Sequence, residues 1–205
     1  MFDLDGTLVD AYEAISRSFN FTMEKCGYDR QPPVTIRRAV GWGDRNLLKP
    51  FVKKSDLDKA LAIYRRHHRE ALLKHCRILK TGRAILSYLK DRGYLLAVAS
   101  NRPTVFSRLI IKQLKLGKYF SYMLCGDKLK KGKPHPEILQ KIMQRLKAGP
   151  QQTLYVGDMP IDAQAARRAG VKSVVVATGS ASIRQLRLEK PYLVLRDLRG
   201  LKAIL

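Results

Sequence analysis

Met1-Phe-Asp-Leu-Asp-Gly-Thr-Leu-Val-Asp10 opens the chain and sets the carboxylates of Asp3 and Asp5 two positions apart behind a short apolar lead-in. In an extended strand, residues i and i+2 point to the same side, so both carboxylates face one crevice. Gly6 lets the backbone turn there, and Thr7 begins to close over it. Two anions held together call for a cation, and a hard divalent ion with oxygen ligands, Mg2+ by default, suits them. Asp-Gly also marks ordinary turns, so the pair takes its meaning from the rest of the chain.

Outward from this stretch, residues 11–27 carry Ile15, Phe19, Met23 and Cys26 at helical spacing, with Gly27 placed to stop the helix. Pro32-Pro33 break the pattern, and Val40-Gly-Trp-Gly43 reads as a loop opening a short helix. Ser55 followed by Asp58 resembles a capping box for a helix striped by Leu57, Leu61, Tyr64 and Leu72. Residues 11–79 are therefore expected to be all-helical. The grammar then changes. Apolar runs of strand length, Tyr94–Ala99, Tyr122–Cys125, Thr153–Val156, Val171–Ala177 and Tyr192–Leu195, alternate with helical patterns. Such alternation predicts a parallel sheet covered on both faces. The expected fold class is α/β: a Rossmann-like core of residues 1–10 and 80–205, with an all-helical cap of residues 11–79 inserted after the first strand.

Four places on the α/β part end a strand in polar residues: Asp3 and Asp5, Ser100-Asn101, the loop Lys131-Gly-Lys133-Pro134, and Gly157-Asp158. In open parallel sheets, ligands bind outside the carboxyl ends of the strands, so the four ends imply one shared site. In this order, and with this helical insertion, they resemble the motifs of the haloacid dehalogenase superfamily, most closely its phosphatases with a small helical cap, of the phosphoglycolate phosphatase type.

The resemblance implies roles residue by residue. Asp3 is the expected nucleophile that takes the phosphoryl group, and Asp5 the expected acid and base. Ser100 and Asn101, with Gly6 and Thr7, are expected to bind phosphoryl oxygens. Lys133 neutralises the transferring group and keeps Asp3 ionised. Mg2+ is expected on the Asp3 carboxylate, the Asp5 backbone carbonyl and Asp158, with Asp162 holding a metal-bound water or the loop itself. The resemblance further places Arg37–Arg45 over the phosphate site, where Trp42 offers an apolar wall and Arg45 a partner for a substrate carboxylate, as in 2-phosphoglycolate. Superfamily dehalogenases lack the second Asp of the pair, so Asp5 argues for phosphate chemistry.

Two departures from the family pattern stand out. Ala11 occupies a position where Ser is common, and only Met1 and Phe2 precede Asp3, against a typical strand of about five or six residues. Either the true start lies upstream, or the central strand is cut short, which is expected to cost stability while keeping the site geometry. A version with a longer apolar lead-in is accordingly expected to melt higher, and equal melting temperatures would contradict this.

The chain of 205 residues carries 40 Lys plus Arg against 17 Asp plus Glu, a net charge of +23. The basic residues are spread along the chain as a solvated surface, and an acidic partner or a phosphorylated small molecule suits them. Nucleic acid is not the expected partner, although a basic nucleic-acid-binding protein with a vestigial site is an alternative, as is a sugar phosphomutase of the same superfamily. His67, His68, His75 and His135 form no spaced ligand set and are expected to be surface or helix-packing residues. Cys26, Cys76 and Cys125 lie far apart, as free thiols of a reducing compartment do. No apolar run is long enough for a membrane span. The expectation is a cytoplasmic enzyme, monomeric or dimeric, with a small phosphorylated substrate and no membrane partner.

Overall fold

The computed structural model describes Met1–Leu205. Its sheet is assembled around the opening stretch. The Phe2 amide donates to the Ala97 carbonyl at 2.8 Å and the Ala99 amide to the Phe2 carbonyl at 2.8 Å, while on the other side the Asp3 amide donates to the Val156 carbonyl at 2.8 Å. The terminal ammonium of Met1 donates to the Leu154 carbonyl at 2.7 Å. Residues 1–3 therefore lie between β3 (Ala97–Ser100) and β5 (Leu154–Gly157). On the outer sides, β4 (Tyr122–Cys125) runs parallel to β3, and β6 (Lys172–Val176) and β7 (Leu193–Leu195) continue parallel beyond β5. Phe2, Val98, Val156 and Val174 are buried, as the continuous apolar runs of a doubly covered parallel sheet require.

Helices α5 (Gly82–Asp91), α6 (Thr104–Gln113), α7 (Glu137–Leu146), α8 (Pro160–Arg168) and α9 (Ile183–Leu188) connect and flank these strands. Their apolar stripes supply the rest of the core. One such set is Ile138, Leu139 and Ile142 of α7, packed with Ala165 and Ala166 of α8 around Tyr155.

The polypeptide leaves and re-enters this sheet through a two-stranded antiparallel ribbon, β1 (Val9–Asp10) against β2 (Arg77–Ile78). Between the ribbon strands lie α1 (Tyr12–Lys25), α2 (Pro33–Ala39), α3 (Asp44–Leu48) and α4 (Leu57–His75). Ala11, at the N-cap of α1, offers no capping side chain, and Asp10 Oδ1 accepts from the Tyr12 amide at 3.1 Å instead. Phe19 and Met23 of α1 and Leu57, Leu61, Tyr64 and Leu72 of α4 are buried in one continuous core with the sheet.

Two local expectations need correction. Ser55 does not cap α4: the residue at that cap is Asp56, without a side-chain cap bond, and the Ser55 hydroxyl donates to the Asp56 carboxylate at 3.3 Å. The run from Tyr94 is strand only from Ala97, and Tyr94 and Leu95 are exposed. A groove of about 550 Å³ occupies that end of the sheet, lined among others by Met1, Phe2, Leu95 and Leu96.

Candidate active site

The carboxyl ends of the central strands bring Asp3, Ser100, Lys133, Asp158 and Asp162 together, all buried. Asp3 ends the first segment, Ser100 ends β3, and Asp158 follows Gly157 at the end of β5. Asp162 lies in the first turn of α8, where an acidic side chain serves the exposed amides of the helix start. Its Oδ2 accepts from the amides of Asp158 and Met159 at 3.1 and 3.0 Å. Asp162 thus holds the loop that carries Asp158.

Lys133 is the cation among these acids. Its ammonium donates to Asp162 Oδ1 at 2.7 Å and to the Tyr155 hydroxyl at 2.8 Å. Asp3 Oδ1 lies 3.0 Å from the same nitrogen as an ion pair, yet no hydrogen bond is aligned on that buried oxygen. Burial raises the Asp3 carboxyl from 3.8 to about 6, with Lys133 opposing and Asp162 and Asp5 adding to the rise. Burial, then Asp162 and Asp3, push Asp158 well above the usual carboxylate range. Burial alone would lower Lys133, but Asp162 and Asp3 outweigh it and the ammonium is held more firmly than usual. The acids outnumber the cation, and the balance calls for more positive charge.

One carboxylate oxygen from each of Asp3, Asp158 and Asp162 fall within 4.8 Å of one another. Asp162 is met by two donors on each oxygen, Lys133 and Tyr155 on one and the amides of Asp158 and Met159 on the other, whereas Asp158 is met by one on each, so Asp3 and Asp158 keep the greater capacity for a further ligand. Asp158 is positioned by the Thr7 hydroxyl, which donates to Oδ1 at 3.0 Å, and by the Tyr12 hydroxyl at 3.4 Å from Oδ2. An orphaned carboxylate oxygen beside a second raised carboxyl is the donor set of a hard divalent cation, and the residues present fit Mg2+. Gly6, at φ +74°, sits so close that a Cβ there would lie 2.4 Å from Asp158 Oδ2. Only glycine meets both conditions.

A cavity of about 50 Å³ opens from Asp3 and Ser100 toward the inserted helices. Val40, Gly41, Gly43 and Leu47 close it from that side, with Tyr64 and Phe106 as apolar walls. Gly41 is pressed against the core: a Cβ on it would stand 2.3 Å from Met159 Sδ. Arg37 spans the same junction, donating to the Gly179 carbonyl at 2.9 Å and stacking on the Tyr12 ring at 4.1 Å.

Several residues expected to meet substrate are placed elsewhere. Trp42 is 46% exposed and does not line the cavity. The positive φ values of Gly41 and Gly43 carry the chain around it, and its ring lines a separate surface cleft with Arg38 and Pro160. Arg45 is exposed and paired with Asp58. The Asn101 side-chain amide is committed to the carbonyls of Gly41 and Lys133, at 2.9 and 3.0 Å, and its oxygen accepts from the Lys133 amide at 2.8 Å. It ties the Lys133 loop and the Gly41 loop to the end of β3. The Thr7 hydroxyl proton is spent on Asp158, and the Gly6 carbonyl accepts from the Thr178 hydroxyl at 2.6 Å. Ser100 Oγ accepts from the Arg102 amide at 3.3 Å and keeps its own proton for a ligand.

Asp5 lines the cavity with Asp3, but its side chain is held by Arg102 at 2.7 Å. Sequence reasoning missed Arg102. The available signal was its place directly after Ser100-Asn101, a cation at a strand end beside two acids. His68, fully buried, packs on Tyr64 with centroids 4.8 Å apart and reaches Arg102. Burial and the neighbouring guanidinium keep it neutral by lowering its pKa well below the usual value.

This fold and this arrangement of acids are those of a known class. The family model of haloacid dehalogenase-like hydrolases matches residues 1–176, and the chain belongs to that family. It is 33% identical over 214 residues to a phosphoglycolate phosphatase of Pseudomonas putida, covering 98% of this chain and 77% of that protein. A phosphoglycolate phosphatase of Aquifex aeolicus is 31% identical over 179 residues, covering 87% of this chain and 84% of the relative. Among solved structures, a predicted phosphoglycolate phosphatase from Haemophilus somnus superposes with a TM-score of 0.92 at 26% identity, over 99% of this chain and 95% of that one.

Proposed function

We propose that the chain is a Mg2+-dependent phosphomonoesterase that works through an aspartyl-phosphate on Asp3 and takes a small phosphorylated metabolite of the phosphoglycolate kind. The observation that carries this reading is the buried group of Asp3, Asp158 and Lys133 at the carboxyl ends of the strands, with Asp3 Oδ1 lacking an aligned donor. The names of the relatives, phosphoglycolate phosphatases at 31–33% identity, support the substrate class.

In this mechanism an oxygen of Asp3 attacks phosphorus in line with the ester oxygen. The P–O ester bond breaks, and its electron pair leaves with the alkoxide, which takes a proton from Asp5. Water then attacks phosphorus, gives its proton to Asp5, and the bond to Asp3 breaks to release phosphate. Such transfers are catalysed mainly by positioning and charge neutralisation. Lys133 keeps a fixed positive charge beside Asp3, and Ser100 has a hydroxyl proton for a phosphoryl oxygen. Asp3 and Asp158 would hold the Mg2+, which when bound neutralises charge on the phosphoryl oxygens.

No helix is long and apolar enough to cross a membrane, and the three cysteines are free. Both suit the cytoplasmic residence that goes with this reading. A panel of phosphomonoesters assayed with Mg2+ tests it. Phosphate release is expected from small phosphorylated acids and is expected to stop when the metal is chelated. Absence of release from every ester, or release indifferent to chelation, would overturn the proposal.

A further inference from the structure

Arg102 is the one Arg or Lys that lines the cavity beside Asp3 and Ser100. Its Nε donates to Asp5 Oδ2 and its Nη2 to Asp5 Oδ1, each at 2.7 Å, a two-point clamp on both carboxylate oxygens. Nη1 lies 2.7 Å from His68 Nε2, and His68 Nδ1 faces the Ser18 hydroxyl at 3.1 Å. A guanidinium has five N–H donors, so these contacts leave donors to spare. The side chain is only 7% exposed. Val40, Leu47, Tyr64 and Phe106 wall the cavity around it, and the remaining acid there, Asp44, is paired with Arg65 at 2.7 Å.

This arrangement conflicts with the task assigned to Asp5. With both oxygens on the guanidinium, Asp5 has none directed at an ester oxygen. Pulling it away from Arg102 without replacement would leave a buried charge unpaired, which is strongly unfavourable. A planar anion with two oxygens can replace it like for like, because Arg recognises carboxylates through the same fork. The small cavity favours such a group close to the ester.

We propose that Arg102 binds a carboxylate carried by the substrate itself, a few atoms from the ester oxygen, and that this carboxylate takes over the guanidinium from Asp5 and frees Asp5 to face the leaving oxygen. The inference rests on the phosphatase reading above and deepens it to phosphorylated carboxylic acids. His68 is a positioning residue in this scheme, a neutral acceptor that keeps Arg102 in place while its partner changes. Interactions with the far end of the substrate are thereby coupled to the reacting end.

The test compares 2-phosphoglycolate with ethyl phosphate, which lacks the carboxylate, by titration calorimetry on the Asp3→Asn protein with Mg2+ present. Ethyl phosphate also reports whether each protein is folded and binding-competent. With Arg102 intact, 2-phosphoglycolate is expected to bind about tenfold tighter or more. In Asp3→Asn/Arg102→Met the ratio is expected to fall close to one. Arg102→Lys, which keeps the charge but not the fork, is expected to retain part of the preference and serves in place of the Met variant if that protein does not fold. The ratio removes any effect of releasing Asp5 that both ligands share. An unchanged ratio in the variants, or no preference with Arg102 in place, would overturn the assignment of Arg102. Wild-type protein that releases phosphate from neither ester would instead overturn the phosphatase reading.

Discussion

Replacing Asp3 by asparagine is expected to lower kcat for phosphomonoester hydrolysis by on the order of 10⁴-fold or more, as loss of a covalent nucleophile does, while the protein stays folded. The stability part has its own sign. Burial raises the Asp3 carboxyl from 3.8 to about 6, so the folded state holds this proton more tightly than the unfolded chain. The stability linked to it is complete below about pH 4 and is lost as the pH climbs through 6. Asparagine has no such loss. Metal-free Asp3→Asn protein is therefore expected to match or exceed the wild type in melting temperature at pH 7.5, with its relative advantage shrinking as the pH falls toward 4. Thermal melts at several pH values with chelator present check this. A variant that is much less stable at pH 7.5, or one that retains turnover, would contradict the account.

Lys133→Met is the second large effect, and it falls on stability. Removing the ammonium strips Asp3 and Asp162 of their cation and leaves a buried cluster of acids with Asp158. Breaking a buried ion pair on one side costs roughly 3–5 kcal/mol, against a total stability of about 5–15 kcal/mol for a native protein. The urea midpoint is expected to drop sharply at pH 7.5 with the slope of the transition unchanged. Mg2+ is expected to recover part of the loss, because it supplies charge to the same acids. A midpoint shift equivalent to under about 1 kcal/mol, the range of exposed ion pairs such as Arg45–Asp58, would show that Lys133 is not the centre of the cluster.

The contrast between these residues explains what could be read from the sequence. Asp3, Ser100 and Asp158 were legible because each ends a strand or directly follows one, and Lys133 because it lies in the loop that leaves β4, and a parallel sheet brings all such ends to one edge. The order of hydrophobic runs was enough to place them. Asp162 enters through the resemblance, as a holder of a metal-bound water or of its loop, and its pairing with Lys133 across 29 positions has no local signature.

Trp42 and Arg45 lie outside the cavity for a reason of another kind. Trp42 sits in a loop and Arg45 in the first turn of α3 behind it, and the direction of both is set by two positive-φ glycines and by the contact of Gly41 with Met159, a tertiary constraint with no local signature. For Asn101 the resemblance implies a ligand-binding amide. A side chain with two donors and an acceptor at the meeting of three loops is equally suited to tie them, and the sequence cannot tell these uses apart. Arg102 escaped notice because surface arginines abound in a chain of net charge +23, and only burial marks this one.

The central claim is that Asp3 carries the phosphoryl group. Reductive trapping with borohydride during turnover, followed by peptide mapping, reads it directly, because an acyl phosphate is reduced to the alcohol at the residue that bears it. The expected product is a homoserine at position 3, formed only when substrate and Mg2+ are both present. Phosphate release with no trapped residue, or with the modification on Asp5, Asp158 or Asp162 in place of Asp3, would contradict the claim.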